Sequence, residues 1–190
     1  KQRVALSVPR ESVTMTVACP NGKAKLQPSV YEPLLDALAD HKLHEVAELE
    51  QLVDKQKVST GQLQQALMLL CGRGDLALAQ NENVSKAVRT ACHAGNVQLM
   101  EASRYSDRYS YLGSPVTGGG ISVSRFHQLF LLASANGKKK PIEWAEFAWN
   151  FLAAQNQRLT LQGVLLETPE QNLKQLCAEA ELFEKKQLPI

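Results

Sequence analysis

The chain has 190 residues, 44% hydrophobic and 21% charged, with a formal net charge of +2. That is enough chain for one domain or two small ones, too apolar for disorder, and too evenly charged for a general attraction to nucleic acid or anionic membrane. No run approaches the ~20 apolar residues of a membrane span, and the start lacks the order of a signal peptide.

The chain opens on Lys1, and its first methionine is Met15, which reads as a segment of a longer protein. Val4, Leu6 and Val8, then Val13, Met15 and Val17, alternate with polar neighbours, the period of short half-buried strands. The pair Asn21-Gly22 marks a turn. Three helices are predicted next. The first carries Val30, Leu34, Leu35 and Leu38 on one face, with Pro33 placed in its first turn. The second carries Val46, Leu49, Leu52 and Val53. The third opens on Ser59, three residues before Gln62, a capping-box spacing, and ends near Gly72. RGDLALAQ then reads as a hairpin tip and strand. Strands, three short helices and a hairpin give a winged-helix-like half over residues 1–80.

Residues 81–190 read as a mainly helical subdomain sharing that core. Ser124 to Asn136 is apolar on most sides and is stopped by Asn136-Gly137. IEWAEFAWNFLAAQ follows, RLTLQGVLLE is a tight hairpin turning at Gln162-Gly163, and Thr168-Pro169-Glu170-Gln171 starts the last helix. The fold class expected is α+β, mainly helical, with a small hairpin in the second half.

Candidate sites are few. Gly118, Gly119 and Gly120 suggest a phosphate or cofactor loop, but Ile121 and Ser122 follow where a P-loop needs Lys and Ser/Thr. The preceding SRYSDRYSYLGSP is too polar for the buried strand of a dinucleotide fold. The glycines therefore read as architecture. His41, His44, His93 and His127 define no metal set, and His93 beside Cys92 points to another side of a helix. Cys19, Cys71, Cys92 and Cys177 are scattered and read as buried thiols of a cytoplasmic protein, not disulfides or a zinc site. No catalytic, cofactor-binding or metal residue is assigned.

The third helix argues against DNA. From Thr60 to Cys71 it has no Lys or Arg, and groove readers depend on phosphate neutralisation. Its apolar later part (Ala66 to Cys71) predicts a helix covered on every side, by protein. The candidate partner surface is Arg104, Tyr105, Arg108, Tyr109 and Tyr111, whose composition suits stacking or an interface, against the plainer reading of a connection with its own anchors. Lys138, Lys139 and Lys140 rank second, against a solvated loop.

SPVTGGGISVSRFHQLFLLA together with AAQNQRLTLQGVLLETPEQNLKQLCAEAELFEKKQLP, across most of residues 112–189, resembles the C-terminal region of bacterial S-adenosylmethionine-dependent methyltransferases with a methyltransferase regulatory domain, a group that includes protein lysine methyltransferases. Residues 1 to about 80 match in layout and only loosely in letters. The resemblance implies a non-catalytic accessory domain, regulatory or protein-substrate-binding. S-adenosylmethionine would be held by an upstream domain of the same protein, and no cofactor by this segment. Its partners would be those upstream domains and a protein substrate, with no membrane and no nucleic acid. The alternatives are a winged-helix transcription regulator and a general protein-protein interaction module.

Overall fold

A computed structural model describes residues 2–20, 22–54 and 58–188, with the side chain of residue 54 left aside. Two compact units emerge, Lys1–Glu82 and Asn83–Leu188. The molecule is α+β and mainly helical, as its patterning predicts.

In the first unit, β1 (Arg3–Leu6) turns alternate residues inward, so Val4 and Leu6 are buried. A hairpin of β2 (Thr16–Cys19) and β3 (Gly22–Lys25) follows, its strands mostly exposed; Asn21, the predicted turn residue, lies outside the described residues. Val13 is buried but precedes the strand. Helix α1 (Pro28–Ala37) begins two residues earlier than predicted, which moves Pro33 out of its first turn and into the helix. Strand β4 (His44–Glu45), α2 (Val46–Asp54), α3 (Thr60–Arg73) and β5 (Leu76–Ala79) complete the unit. The predicted capping box is present: Gln62 N donates to Ser59 Oγ at 3.3 Å and Ser59 N to Gln62 Oε1 at 2.9 Å. Strand β5 does not belong to a local hairpin. It pairs antiparallel with β1, Val4 opposite Leu78 and Leu6 opposite Leu76, giving a sheet of order β4-β1-β5. Leu34, Leu35, Leu38, Leu49, Leu63 and Leu70 pack against Val4 and Leu6.

The second unit begins with α4 (Glu82–Ala102), 21 residues long, for which the sequence reading assigned no element. A hairpin of β6 (Tyr111–Gly113) and β7 (Gly120–Ser122) leads to α5 (Arg125–Ala135) and α6 (Pro141–Ala154). The short pair β8 (Thr160–Leu161) and β9 (Val164–Leu165) turns at Gln162 (φ 50°) and Gly163 (φ 83°), two left-handed residues as a tight twisted hairpin demands. Helix α7 (Pro169–Lys186) starts from the predicted Thr168–Gln171 box. Leu129, Phe130, Trp144, Ala148, Leu176 and Phe183 form its main core, and Met100, Leu112 and Leu132 a second one.

Among the described residues no helix is long and apolar enough to cross a membrane.

Candidate partner surfaces

The residues predicted to meet a partner divide where α4 ends. Arg104 points inward. Its Nη2 donates to Glu101 Oε1 at 3.0 Å, its Nε lies 2.9 Å from Oε2 as an ion pair without hydrogen-bond alignment, and its guanidinium sits 5.1 Å from the Phe151 ring centre. Its carbonyl accepts from Gln155 Nε2 at 2.6 Å and Arg125 Nη2 at 3.1 Å, and Arg125 Nε donates to Ser103 O at 2.7 Å. Arg104 is therefore a half-buried anchor of the connection.

Tyr105, Arg108, Tyr109 and Tyr111 face solvent, Tyr105 most of all at 73%. The backbone at Tyr109 is held from below. Gln128, fully buried, donates through Nε2 to Tyr109 O at 2.7 Å and Val123 O at 2.9 Å. The Arg108 guanidinium lies 5.6 Å from the Tyr109 ring centre. Exposed aromatic rings on a fixed backbone lose little freedom on contact, which favours them at interfaces.

The three glycines form the far end of the β6–β7 hairpin, not a cradle. Gly118 (φ 74°) donates its N–H to Ser114 O at 2.9 Å, and Gly119 donates to Thr117 Oγ1 at 3.3 Å. A Cβ on Gly120 would lie 3.5 Å from the Tyr111 side chain, so the tyrosine lies across it. Asn96 of α4 pins the hairpin by pairing with both backbone groups of Gly113, at 2.7 and 2.8 Å. Helix α5 starts later, its cap Ser124 already occupied by His127 N.

Lys138, Lys139 and Lys140 form the turn between α5 and α6. Gly137 (φ 84°) and Lys138 donate to Ser134 O and Ala133 O, closing α5, while Lys139 N and Lys140 N both donate to Glu143 Oε2 at 2.9 Å. Those two N–H groups, then the neighbouring lysine charges, hold the Glu143 carboxyl below its ordinary pKa. The run's backbone is thus structural; the side chains of Lys139 and Lys140 remain exposed.

Three of the four histidines are tied to nearby groups, while His93 lies exposed on α4. His41 Nδ1 lies 3.1 Å from Leu6 O, His44 Nε2 2.9 Å from Asp40 Oδ1, and His127 Nε2 3.0 Å from Glu179 Oε1 while stacked on Phe183. Among the described residues no three His, Cys, Asp or Glu side chains gather as a metal site. The cysteines form no disulfide, and none is fully buried: Cys19 is exposed and the others half-buried, which corrects the predicted burial. Burial raises the Cys71 and Cys177 thiols above their ordinary pKa, keeping them away from the reactive thiolate.

Helix α3 departs most from expectation. It is not covered on all sides: Gly61, Gln64, Gln65 and Gly72 are exposed, and Met68 is 74% exposed. Beside it lies an open groove of about 440 Å³ lined by Gln2, Val4, Val46, Gln64, Leu67, Met68, Cys71 and Leu78, none of them charged. The sequence reading missed this groove because four of its walls come from β1, α2, β5 and Gln2. The signal it did register, a helix free of charge, lies on one wall. Arg73, the nearest base of α3, is tied to Asp75 Oδ2 at 2.9 Å and to Thr14 O at 2.9 Å. The exposed face of α3 is uncharged, with two glutamine amides beside Met68, and is not a basic groove.

No protein-family model matches the chain, and no solved structure does. A Synechocystis protein described as uncharacterized is 35% identical over 188 residues, which make up 99% of this chain and 36% of that relative. The chain thus spans about a third of that relative's length.

Proposed function

We propose that the chain is a non-catalytic accessory domain of an S-adenosylmethionine-dependent methyltransferase that acts on protein lysine, serving in protein-substrate binding or in holding the enzyme's domains together. The observation that carries the reading is the long run of matching motifs from Ser114 to Leu188, spread over the β6–β7 hairpin, α5, the β8–β9 hairpin and α7. In the Synechocystis relative the corresponding segment is one part of a longer protein, which is where an accessory domain belongs. Supporting it, Arg73, Arg104, Arg125, His44, His127 and Glu143 are each engaged in ion pairs, caps or anchors. S-adenosylmethionine sits in an upstream domain of the parent protein, the upstream domains and the protein substrate are the partners, and the compartment is the cytoplasm. Tyr105, Arg108, Tyr109 and Tyr111 are the first residues to meet a partner.

Methyl transfer needs an unprotonated amine held in line with the methyl group. A domain without chemistry of its own contributes by fixing the protein that carries the amine. Calorimetry on the 190-residue chain is expected to give no heat with S-adenosylmethionine, and micromolar binding would reject the reading. Fluorescence anisotropy with duplex DNA at low salt is expected to stay flat. Salt-dependent binding lost in Arg73→Ala would favour a transcription regulator instead.

A further inference from the structure

We propose that the neutral face of α3 is where a second copy of this chain docks, with Met68 of each copy seated in the groove of the other. The inference stands apart from the methyltransferase reading and uses the first unit alone.

Three observations select this occupant. The first is charge. Thr60 to Gly72 contains no acid or base, and none of the eight groove residues is charged, in a chain that is 21% charged. Residues near a two-fold axis meet their own copies, so any charge there would face its like. A neutral face avoids that repulsion, and the amides of Gln64 and Gln65 can pair with themselves because each both donates and accepts. Nucleic acid and charged peptides find no counter-charge in the same groove, and a charge buried there would go unpaired.

The second observation is shape. Met68 projects from the helix that forms one wall of the groove, so knob and hole stand side by side on one surface. Side-by-side placement is what self-complementary pairing needs, since one two-fold rotation then fills both holes. Leu78 is half exposed on the opposite wall and gains a partner in the same movement. Methionine is suited to the role because its unbranched thioether adapts to an irregular cavity.

The third is the pair of glycines. Gly61 and Gly72, three helical turns apart on the open side, have ordinary φ, and a Cβ on either would meet nothing within 4 Å of its own chain. Nothing within one copy requires them, and each costs helix stability relative to alanine. Their lack of a side chain lets another backbone come close.

Sedimentation equilibrium of the 190-residue chain from 1 to 200 μM, taken as about the range of weak to moderate dimers, tests this. A monomer–dimer equilibrium is expected whose Kd changes by less than about 3-fold up to 1 M NaCl, since no charge pair carries the contact. Met68→Asp should raise Kd by about 100-fold or more, because the carboxylate would be desolvated unpaired. Met68 is too exposed for that change to unfold the chain, so circular dichroism should be unaltered. Leu182→Asp, an exposed apolar position on α7, should leave Kd unchanged. A chain that is monomeric at 200 μM overturns the proposal and leaves the groove to a different protein. A dimer that survives Met68→Asp, or dissociates in salt, overturns it as well.

Discussion

Asn172 has no exposed surface and satisfies its amide completely. Its Oδ1 accepts from Leu159 N at 2.7 Å, and its Nδ2 donates to Leu166 O and Thr168 O at 2.8 Å each. One side chain thus holds both ends of the β8–β9 hairpin against the first turn of α7. Replacing it by leucine strands Leu159 N and Leu166 O, while Thr168 O keeps its bond from the backbone N–H of residue 172, so Asn172→Leu should destabilise the chain by about 2 kcal/mol or more, read from urea unfolding. Glu143 shows the same logic at the surface, with a charge. Its carboxylate accepts from Lys139 N and Lys140 N, and its folded pKa is lowered. Stability from a lowered carboxylate is present above its ordinary pKa and is lost as pH falls through the folded value. Glu143→Gln, which keeps an amide oxygen but not the charge, should therefore lower Tm at neutral pH. The gap from the unaltered chain should narrow steadily on acidification. A gap that stays constant with pH would show that the charge contributes nothing. The caps at Ser59 and Thr168 were legible in the sequence because both partners lie within one turn. Asn96, Gln128 and Asn172 were not, because they reach 17, 19 and 13 residues along the chain to bind backbone.

At the scale of elements, the stop of α5 was readable and is structurally complete. Asn136-Gly137 marked it, and Gly137 adopts the left-handed conformation with both closing hydrogen bonds made. An added Cβ there would touch nothing, so the cost of Gly137→Ala is conformational alone, about 1 kcal/mol. Chemical denaturation at equilibrium measures it, and a neutral or stabilising result would contradict the account of this cap. Helix α4 escaped the sequence reading for a physical reason. Along its 21 residues only Ser85 and Met100 are buried, while Val84 and Val88 remain largely exposed, so it lacks the apolar stripe by which a helix is recognised. Strand β5 was found, but its partner was not. Pairing Leu76 with Leu6 joins residues 70 apart, and alternation within a strand says nothing about which strand lies beside it. The same non-locality explains α3: its apolar run predicted a cover on every side, yet the first unit covers Leu63, Ala66, Leu67 and Leu70 and leaves Met68 open.

For the whole molecule, two compact units each hold their own apolar clusters. Among the surfaces it offers to other molecules are the uncharged groove beside α3 and a set of exposed tyrosines with Arg108 beyond α4. Surfaces of that kind suit protein contacts. The most direct test uses a longer protein that carries this segment, such as the Synechocystis relative, with labelled S-adenosylmethionine and a cell-extract protein acceptor. Deleting the matching segment should leave cofactor binding intact while the KM for the protein acceptor rises at least about 10-fold, as expected when remote binding contacts are removed. Absence of methyl transfer by the intact protein, or a deletion that abolishes cofactor binding and spares the acceptor KM, would contradict the account.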